Sequence, residues 1–372
     1  MTALSFFLAF IGFALLVILH ELGHFSAAKA VGMRVEKFSL FFPPTLWSKK
    51  VGETEYAIGS IPAGGYVKIT GMNPDEELPE EVRDRAYHAQ PVWKRIVVIA
   101  AGPAVNLVLA FVLLFLFWWL IGPASSTRTV DQTEKGYPAA GVLHPGDRLA
   151  AVDGQRGSPG RLSNLINAHG CAGPKKDWKK GCTAAEPVKL TVVRDGRERT
   201  FTLTPKYDPT APSPSSDKNG RMRVGFGYKP GPHDAQPLGT ALDLSAREFW
   251  FFTQRTLELP VRLIDPVKRK EISGVVGSYE TTRQVILVDV ELVVRILAII
   301  SLSLAIVNLF PFLPLDGGHI FWAIVEKVRR KPVSLAVMER AGVVGFMLVI
   351  LIFLVGLTND IDRLSGEGFQ VP

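Results

Sequence analysis

Long apolar runs alternate with polar stretches along the chain, and the most extended lie at residues 4–25, 96–121, 292–309 and 341–357. A helix rises about 1.5 Å per residue, so roughly 20 apolar residues cross a hydrocarbon core. Each run is near that length, which predicts a polytopic α-helical membrane protein with about four transmembrane helices. Between the first two runs the period drops to two. Thr54-Glu55-Tyr56-Ala57-Ile58 and Gly65-Tyr66-Val67-Lys68-Ile69, separated by Gly59-Ser60-Ile61-Pro62-Ala63-Gly64, predict membrane-associated β-hairpins. Residues 73–90 read as a solvated loop, residues 123–207 as β-rich and polar, and residues 208–217 as a Pro/Ser linker. Residues 238–267 mix Phe249, Trp250, Phe251 and Phe252 with Arg247, Glu248, Arg255 and Arg262, the composition of an amphipathic helix lying in the interface plane. The expected organisation is an N-terminal membrane core at 1–122, an inserted β-domain at 123–207, linker and interfacial helix at 208–290, and a C-terminal membrane core at 291–372.

Within the insertion, the stretch from Gly136 to Gly154 contains Pro138-Ala139-Ala140-Gly141-Val142-Leu143-His144-Pro145-Gly146-Asp147 and Val152-Asp153-Gly154, and resembles the turn-and-strand signature of a PDZ domain. Residues 189–203 form a second unit of pattern, two alternating strands about Asp195-Gly196, a hairpin turn. Of 372 residues 47% are hydrophobic and the net charge is +7. The excess is accounted for by short basic loops, not by a nucleic-acid surface, and no basic-aromatic repeat suggests one. Lys29, Arg34 and Lys37 follow the first run, Lys94 and Arg95 precede the second, and Lys327, Arg329, Arg330, Lys331 and Arg340 lie between the last two. The positive-inside rule then puts the N-terminus and the β-domain outside the cytoplasm. The first run lacks a charged leader and a small-residue cleavage site, so it is expected to persist as a helix. Cys171 and Cys182 are the two cysteines; they would form a disulfide outside the cytoplasm and stay reduced inside it.

The chemistry begins where the first run ends, at His20-Glu21-Leu22-Gly23-His24. On a helix, i and i+4 share a face, so His20 and His24 can hold one Zn²⁺ while Glu21 acts as general base on an activated water. Ionisable residues beside a lipid-spanning run are costly, which argues for a functional site over a polar cluster at the membrane edge. A second interruption lies at Asn308-Leu309-Phe310-Pro311-Phe312-Leu313-Pro314-Leu315-Asp316-Gly317-Gly318-His319, where prolines and glycines break an apolar helix around a carboxylate. Non-helical backbone at membrane depth needs protein or water to satisfy it. If the runs cross in alternation, Asp316 returns to the depth of the two histidines and can be the third ligand, leaving a fourth position open. The alternatives are that Asp316 only caps the next helix and that His319 ligates instead. Gly102-Pro103-Ala104-Val105-Asn106 in the second run fits either helix packing or a role in shaping the site.

Taken together, His20-Glu21-x-x-His24, Gly64-Gly65-Tyr66-Val67-Lys68, Gly102-Pro103-x-x-Asn106, the PDZ-like insertion and Asn308 through Gly318 resemble the site-2 protease family (peptidase family M50), in particular the bacterial regulator-of-sigma-E type. The resemblance implies a Zn²⁺-dependent endopeptidase of the bacterial inner membrane, with His20, His24 and Asp316 as ligands and Glu21 as base. It implies that Asn308, Gly64, Gly65 and Tyr66 hold an unwound substrate backbone, and that the PDZ region excludes substrates with bulky external domains. The partners implied are the lipid bilayer and a single-pass membrane protein, such as a pre-cleaved anti-sigma factor or a remnant signal peptide, in regulated intramembrane proteolysis. A catalytically silent PDZ adaptor is the alternative. One PDZ domain fits here where some relatives carry two, and Leu40-Phe41-Phe42-Pro43-Pro44 replaces a glycine-rich turn, so no role is carried onto those residues.

Overall fold

The computed structural model describes residues 2–73, 76–209, 211, 220–266, 268–331 and 333–365. Most of the expected linker at 208–217 lies outside them. In chain order the elements are α1 (Thr2–Ala30), β1 (Val35–Val51), β2 (Thr54–Ile69), α2 (Glu80–Arg83), α3 (Val92–Leu116), β3 (Ala124–Thr133), β4 (Arg148–Val152), α4 (Pro159–Ala168), β5 (Val188–Arg194), β6 (Arg197–Leu203), β7 (Lys206–Asp208), β8 (Arg221–Arg223), β9 (Phe226–His233), α5 (Leu238–Leu257), α6 (Leu259–Ile264), α7 (Val275–Val288), α8 (Leu292–Asn308), α9 (Asp316–Arg329) and α10 (Leu335–Ser365). They form two compact units, one from residues 1–121 and 236–372, the other from residues 122–235.

In the first unit, three helical stretches are long and apolar enough to cross a membrane, Ala3–Ala30, Val92–Ile121 and Ala336–Ser365, and Leu292–Asn308 is a shorter apolar helix. The hub is α3, which packs against α1, α5, α8 and α9. Its buried positions, Arg95, Val98, Ile99, Gly102, Pro103, Asn106, Ala110 and Leu114, recur at three- and four-residue steps, the stripe of a helix enclosed on one side. On the other side Val97, Val108 and Val112 are exposed.

One expectation is corrected in this unit. The stretch from Gly59 to Gly64 does not separate two hairpin strands, because β2 runs through it from Thr54 to Ile69. A glycine stands at position 59 because the Phe42 backbone crosses there, with its carbonyl oxygen 2.1 Å from where a Cβ would be. Instead β1 does the folding. Its first part, Lys37 to Leu40, pairs with Lys68 to Gly65 and also lies beside Glu55 to Ile58, while Thr45 to Val51 pairs with Gly59 to Thr54. The helix α5, expected to lie in the interface plane, packs against the bundle. Glu248 accepts hydrogen bonds from Trp118 Nε1 and Arg295 Nε, both at 2.7 Å, and Thr256 reaches Ser303 at 3.5 Å. Both helices advance by the same number of residues between those contacts, so α5 and α8 run side by side in one direction. The charge on Glu248 is thus consumed internally.

The far end of α10 is held differently. Asp360, fully buried, accepts from the backbone N–H groups of Gly274 at 3.0 Å and Gly277 at 2.7 Å and from Ser273 Oγ at 3.2 Å. A carboxylate from a distant helix thus caps the otherwise unpaired first turn of α7.

The second unit is a five-stranded sheet in the order β6-β5-β4-β3-β9, with β7 and β8 as a separate pair. Alternate residues Val188, Leu190 and Val192 of β5 face a core shared with Leu149 and Val152 of β4 and Leu162 and Ile166 of α4, the period of two that a half-buried strand requires. The β5–β6 hairpin turns on Asp195 and Gly196, both at positive φ, as a two-residue turn demands. The unit extends past the expected limit of 207, because β9 pairs antiparallel with β3. Cys171 and Cys182 are joined as a disulfide, beside a small cluster of Trp178, Tyr207 and Met222.

Asp147, only 2% exposed, accepts from Arg194 Nε at 2.7 Å and Nη2 at 2.6 Å and from the His144 N–H at 2.8 Å. The Arg194 guanidinium holds the Asp147 carboxyl below the usual carboxylate range. A depressed carboxyl stabilises the fold in full above its unfolded pKa, and that contribution disappears as the pH falls through the folded value. Removing Asp147 leaves the Arg194 guanidinium without its carboxylate and the His144 N–H without its acceptor, so Asp147→Ala is expected to destabilise the second unit at neutral pH. Hydrogen exchange across β4 and β5 in urea should show the loss, and the gap between wild type and variant should narrow in acid.

Candidate metal centre

Three side chains from opposite ends of the sequence converge in the first unit. His20 and His24, each 7% exposed, project from the second half of α1, and Asp316 is the first residue of α9. Their nearest donor atoms lie within 4.8 Å of one another. The two Nε2 atoms are 3.3 Å apart, and Asp316 Oδ2 is 3.2 Å from His20 Nε2 and 3.3 Å from His24 Nε2.

That triangle has the dimensions of a zinc site. Zinc bonds of roughly 2.0–2.1 Å arranged tetrahedrally place the donor atoms about 3.3–3.4 Å apart. Asp316 Oδ2 is moreover buried without a hydrogen bond, a costly condition that a cation relieves. Two imidazoles and one carboxylate make a donor set that zinc accepts, with the fourth position left for water. His319 lies outside the converging trio, half-buried on the next turn of α9.

Backbone contacts explain how the helices come so close. A Cβ on Gly23 would stand 2.6 Å from the Ala101 carbonyl oxygen, and one on Gly102 would stand 2.2 Å from His24 Nε2. Only glycines let α1 and α3 cross at this separation, the small-residue contact typical of helices packed in lipid. The crossing brings His24 Nδ1 within 2.9 Å of the Val98 carbonyl oxygen. On the opposite flank, the segment between α8 and α9 folds back over the start of α9. A Cβ at Gly317 would lie 2.2 Å from the Leu309 carbonyl oxygen, and one at Gly318 would lie 2.5 Å from the Leu313 nitrogen. The Leu-Asp-Gly-Gly sequence therefore begins a helix under a tight fold-back, and its carboxylate faces the histidines. A bidentate pair from Arg95 to Glu326, at 2.9 and 2.7 Å, secures α9 to α3.

Glu21 adjoins the edge of the sheet. A Cβ on Gly65 would lie 2.8 Å from Glu21 Cγ and 3.0 Å from the Ser39 carbonyl oxygen, so β2 passes against the Glu21 side chain at Gly65. Among the described residues the Gly65–Ile69 stretch pairs with β1 on one side and with no strand on the other. Gly64 lies against the Phe42 ring, and Tyr66 stacks on that ring at 6.0 Å with an interplanar angle of 11°. Asn308 ends α8, half-buried, and makes no side-chain hydrogen bond among the described residues. The glycine crossing and the Arg95–Glu326 brace are not readable from motif spacing. The signal that could have found the first is a glycine in each of two apolar runs next to polar motif residues.

The crossing yields a sharp expectation. Gly102→Ala should abolish tightly bound zinc, because the added methyl overlaps His24 Nε2, whereas Gly239→Ala, where a Cβ meets nothing within 4 Å, should retain it. Elemental analysis of the two purified variants, compared at equal protein, decides.

The profile of peptidase family M50 matches residues 8–352. A Rhizobium meliloti protein named "Putative zinc metalloprotease" is 27% identical and covers 95% of this chain and 95% of its own length. A Brucella suis protein of the same printed name is 29% identical, covering 93% of this chain and 92% of its own. The metalloprotease MmpA of Caulobacter vibrioides is 27% identical, covering 94% and 93% respectively. The solved PDZ domain of an SdrC-like protein from Listeria innocua is 22% identical over 29% of this chain and 99% of its own, with a TM-score of 0.20, too slight a likeness to assign a fold. With the family match running nearly end to end and apolar helices of membrane-crossing length around it, the chain belongs to peptidase family M50 and is a membrane-embedded zinc metalloendopeptidase.

Proposed function

We propose that the protein is an intramembrane endopeptidase that cuts transmembrane segments of single-pass membrane proteins, with His20, His24 and Asp316 as the zinc ligands and Glu21 as the general base. The observation that carries this reading is the convergence of the three donors on helices whose outer faces are apolar. Zinc held there supplies Lewis-acid activation of water and polarises the scissile carbonyl. Glu21 takes the proton of the attacking water and returns it to the departing amide nitrogen. A transmembrane helix hides its carbonyls in its own hydrogen bonds, so the substrate has to unwind before attack. The unpaired edge at Gly64, Gly65 and Tyr66 offers the unwound segment main-chain partners as an added strand, and the uncommitted amide of Asn308 offers it another.

Four crossings, by α1, α3, α8 and α10, are the arrangement that agrees with the basic loops. They put the N-terminus and the inserted unit outside the cytoplasm and the metal centre near the cytoplasmic side of a bacterial inner membrane. The disulfide between Cys171 and Cys182 supports this side for the insertion, since such bonds persist in oxidising compartments. The insertion is read as a PDZ domain on its Gly136 to Gly154 signature and its sheet with one packed helix. Its function is to screen substrates by size, admitting those already shortened outside, such as a pre-cleaved anti-sigma factor or a remnant signal peptide.

Glu21→Gln tests the chemistry. With a model transmembrane substrate in detergent, the variant should keep its zinc and lose cleavage by about 10²–10⁴-fold or more. Undiminished turnover would remove Glu21 from the mechanism, and cellular function surviving in this variant would favour an adaptor.

A further inference from the structure

Each histidine has a second ring nitrogen, and both point at α3. His24 Nδ1 faces the Val98 carbonyl oxygen at 2.9 Å. A carbonyl only accepts, so the proton sits on Nδ1 and the lone pair of Nε2 is free toward Asp316. His20 Nδ1 faces the side-chain amide of Asn106, 3.3 Å from Nδ2. Asn106 is fully buried, and its Oδ1 has no hydrogen-bond partner.

These two facts point the same way. With Nδ2 toward the ring, Asn106 donates to His20 Nδ1, which forces the His20 proton onto Nε2, the nitrogen that faces His24 and Asp316. It also leaves a buried carbonyl oxygen unpaired, at a cost of about 1–3 kcal/mol. Rotating the amide by half a turn keeps its shape. It sets Oδ1 against His20 Nδ1–H and bares Nε2, while Nδ2 takes the position the oxygen leaves. The backbone of Asn106 is itself fixed, because Ser301 Oγ on α8 donates to its carbonyl oxygen at 3.0 Å.

We propose that Asn106 is a positioning residue for the metal centre: its amide oxygen accepts the Nδ1–H of His20, sets the tautomer that presents Nε2 to zinc, and makes α3 the outer support of both imidazoles. This rests on the reading of His20, His24 and Asp316 as ligands. Outer hydrogen-bond partners of metal-bound histidines orient the ring and raise its basicity, and their loss weakens metal binding by about 10–100-fold.

The test compares Asn106→Leu, of similar volume with no acceptor, and Asn106→Asp, which accepts and does not donate when ionised. Zinc dissociation constants are measured on the purified full chain by competition with a chromophoric chelator. Asn106→Leu should bind zinc about 10–100-fold more weakly, and Asn106→Asp should bind within a few-fold of wild type or more tightly. If the residue only fills space, or donates to His20, Asn106→Asp will lose as much affinity as Asn106→Leu and the proposal falls. Unchanged affinity in Asn106→Leu also overturns it. Should Asn106→Leu not fold, retention or loss of zinc by Asn106→Asp decides alone. Asp316→Ala is measured in parallel: if it keeps zinc, the ligand assignment has failed, independently of Asn106.

Discussion

Everything in the membrane unit depends on how near α1 can come to α3. Two helices with ordinary side chains at their contact pack at 8–10 Å, and that spacing would leave the histidines short of the partners they need. Gly23 and Gly102 remove the obstacle at the crossing point. The same approach puts His24 on the Val98 carbonyl and His20 on Asn106. Lipid supplies no hydrophobic drive between helices, so contact must come from close packing and internal polar bonds. This crossing has both.

The third donor reaches the site by a separate route. Asp316 does not come from a regular span but from the place where α8 stops and the chain folds over the first turn of α9. Polar backbone freed there is enclosed by the fold-back, with Gly317 and Gly318 under the Leu309 and Leu313 backbone. Arg95 and Glu326 then fasten α9 to the same helix that supports the histidines. So α3 contributes none of the three donors and touches the supports of all of them. Its kink-prone Pro103, in the interior of the helix, lies beside the crossing.

The donors were legible in the sequence because their physics is local. His20 and His24 sit one turn apart by spacing alone, and Asp316 announces itself by breaking an apolar run. The hairpin with Asp195-Gly196 was legible for the same reason, its turn chemistry being written in two adjacent residues. What escaped was decided by distant partners. The Gly59–Gly64 stretch carries every mark of a turn, yet it continues a strand because Phe42 passes over Gly59. The partners of Glu248 in α5, Trp118 and Arg295, come from two other helical segments and no local pattern names them. The reach of the inserted unit to β9 was hidden because β9 pairs with β3, about a hundred residues earlier. The role of Gly102 is a contact with His24, which no window of one helix contains.

The distance along the chain between the donors has a bearing on biosynthesis. Translation delivers the histidine pair first, then an entire folded β-rich insertion, and the aspartate only after some three hundred residues. On the proposed ligand set, a nascent chain holds only two of the three donors, and the centre is complete only once the last third of the chain has been made and packed against α3.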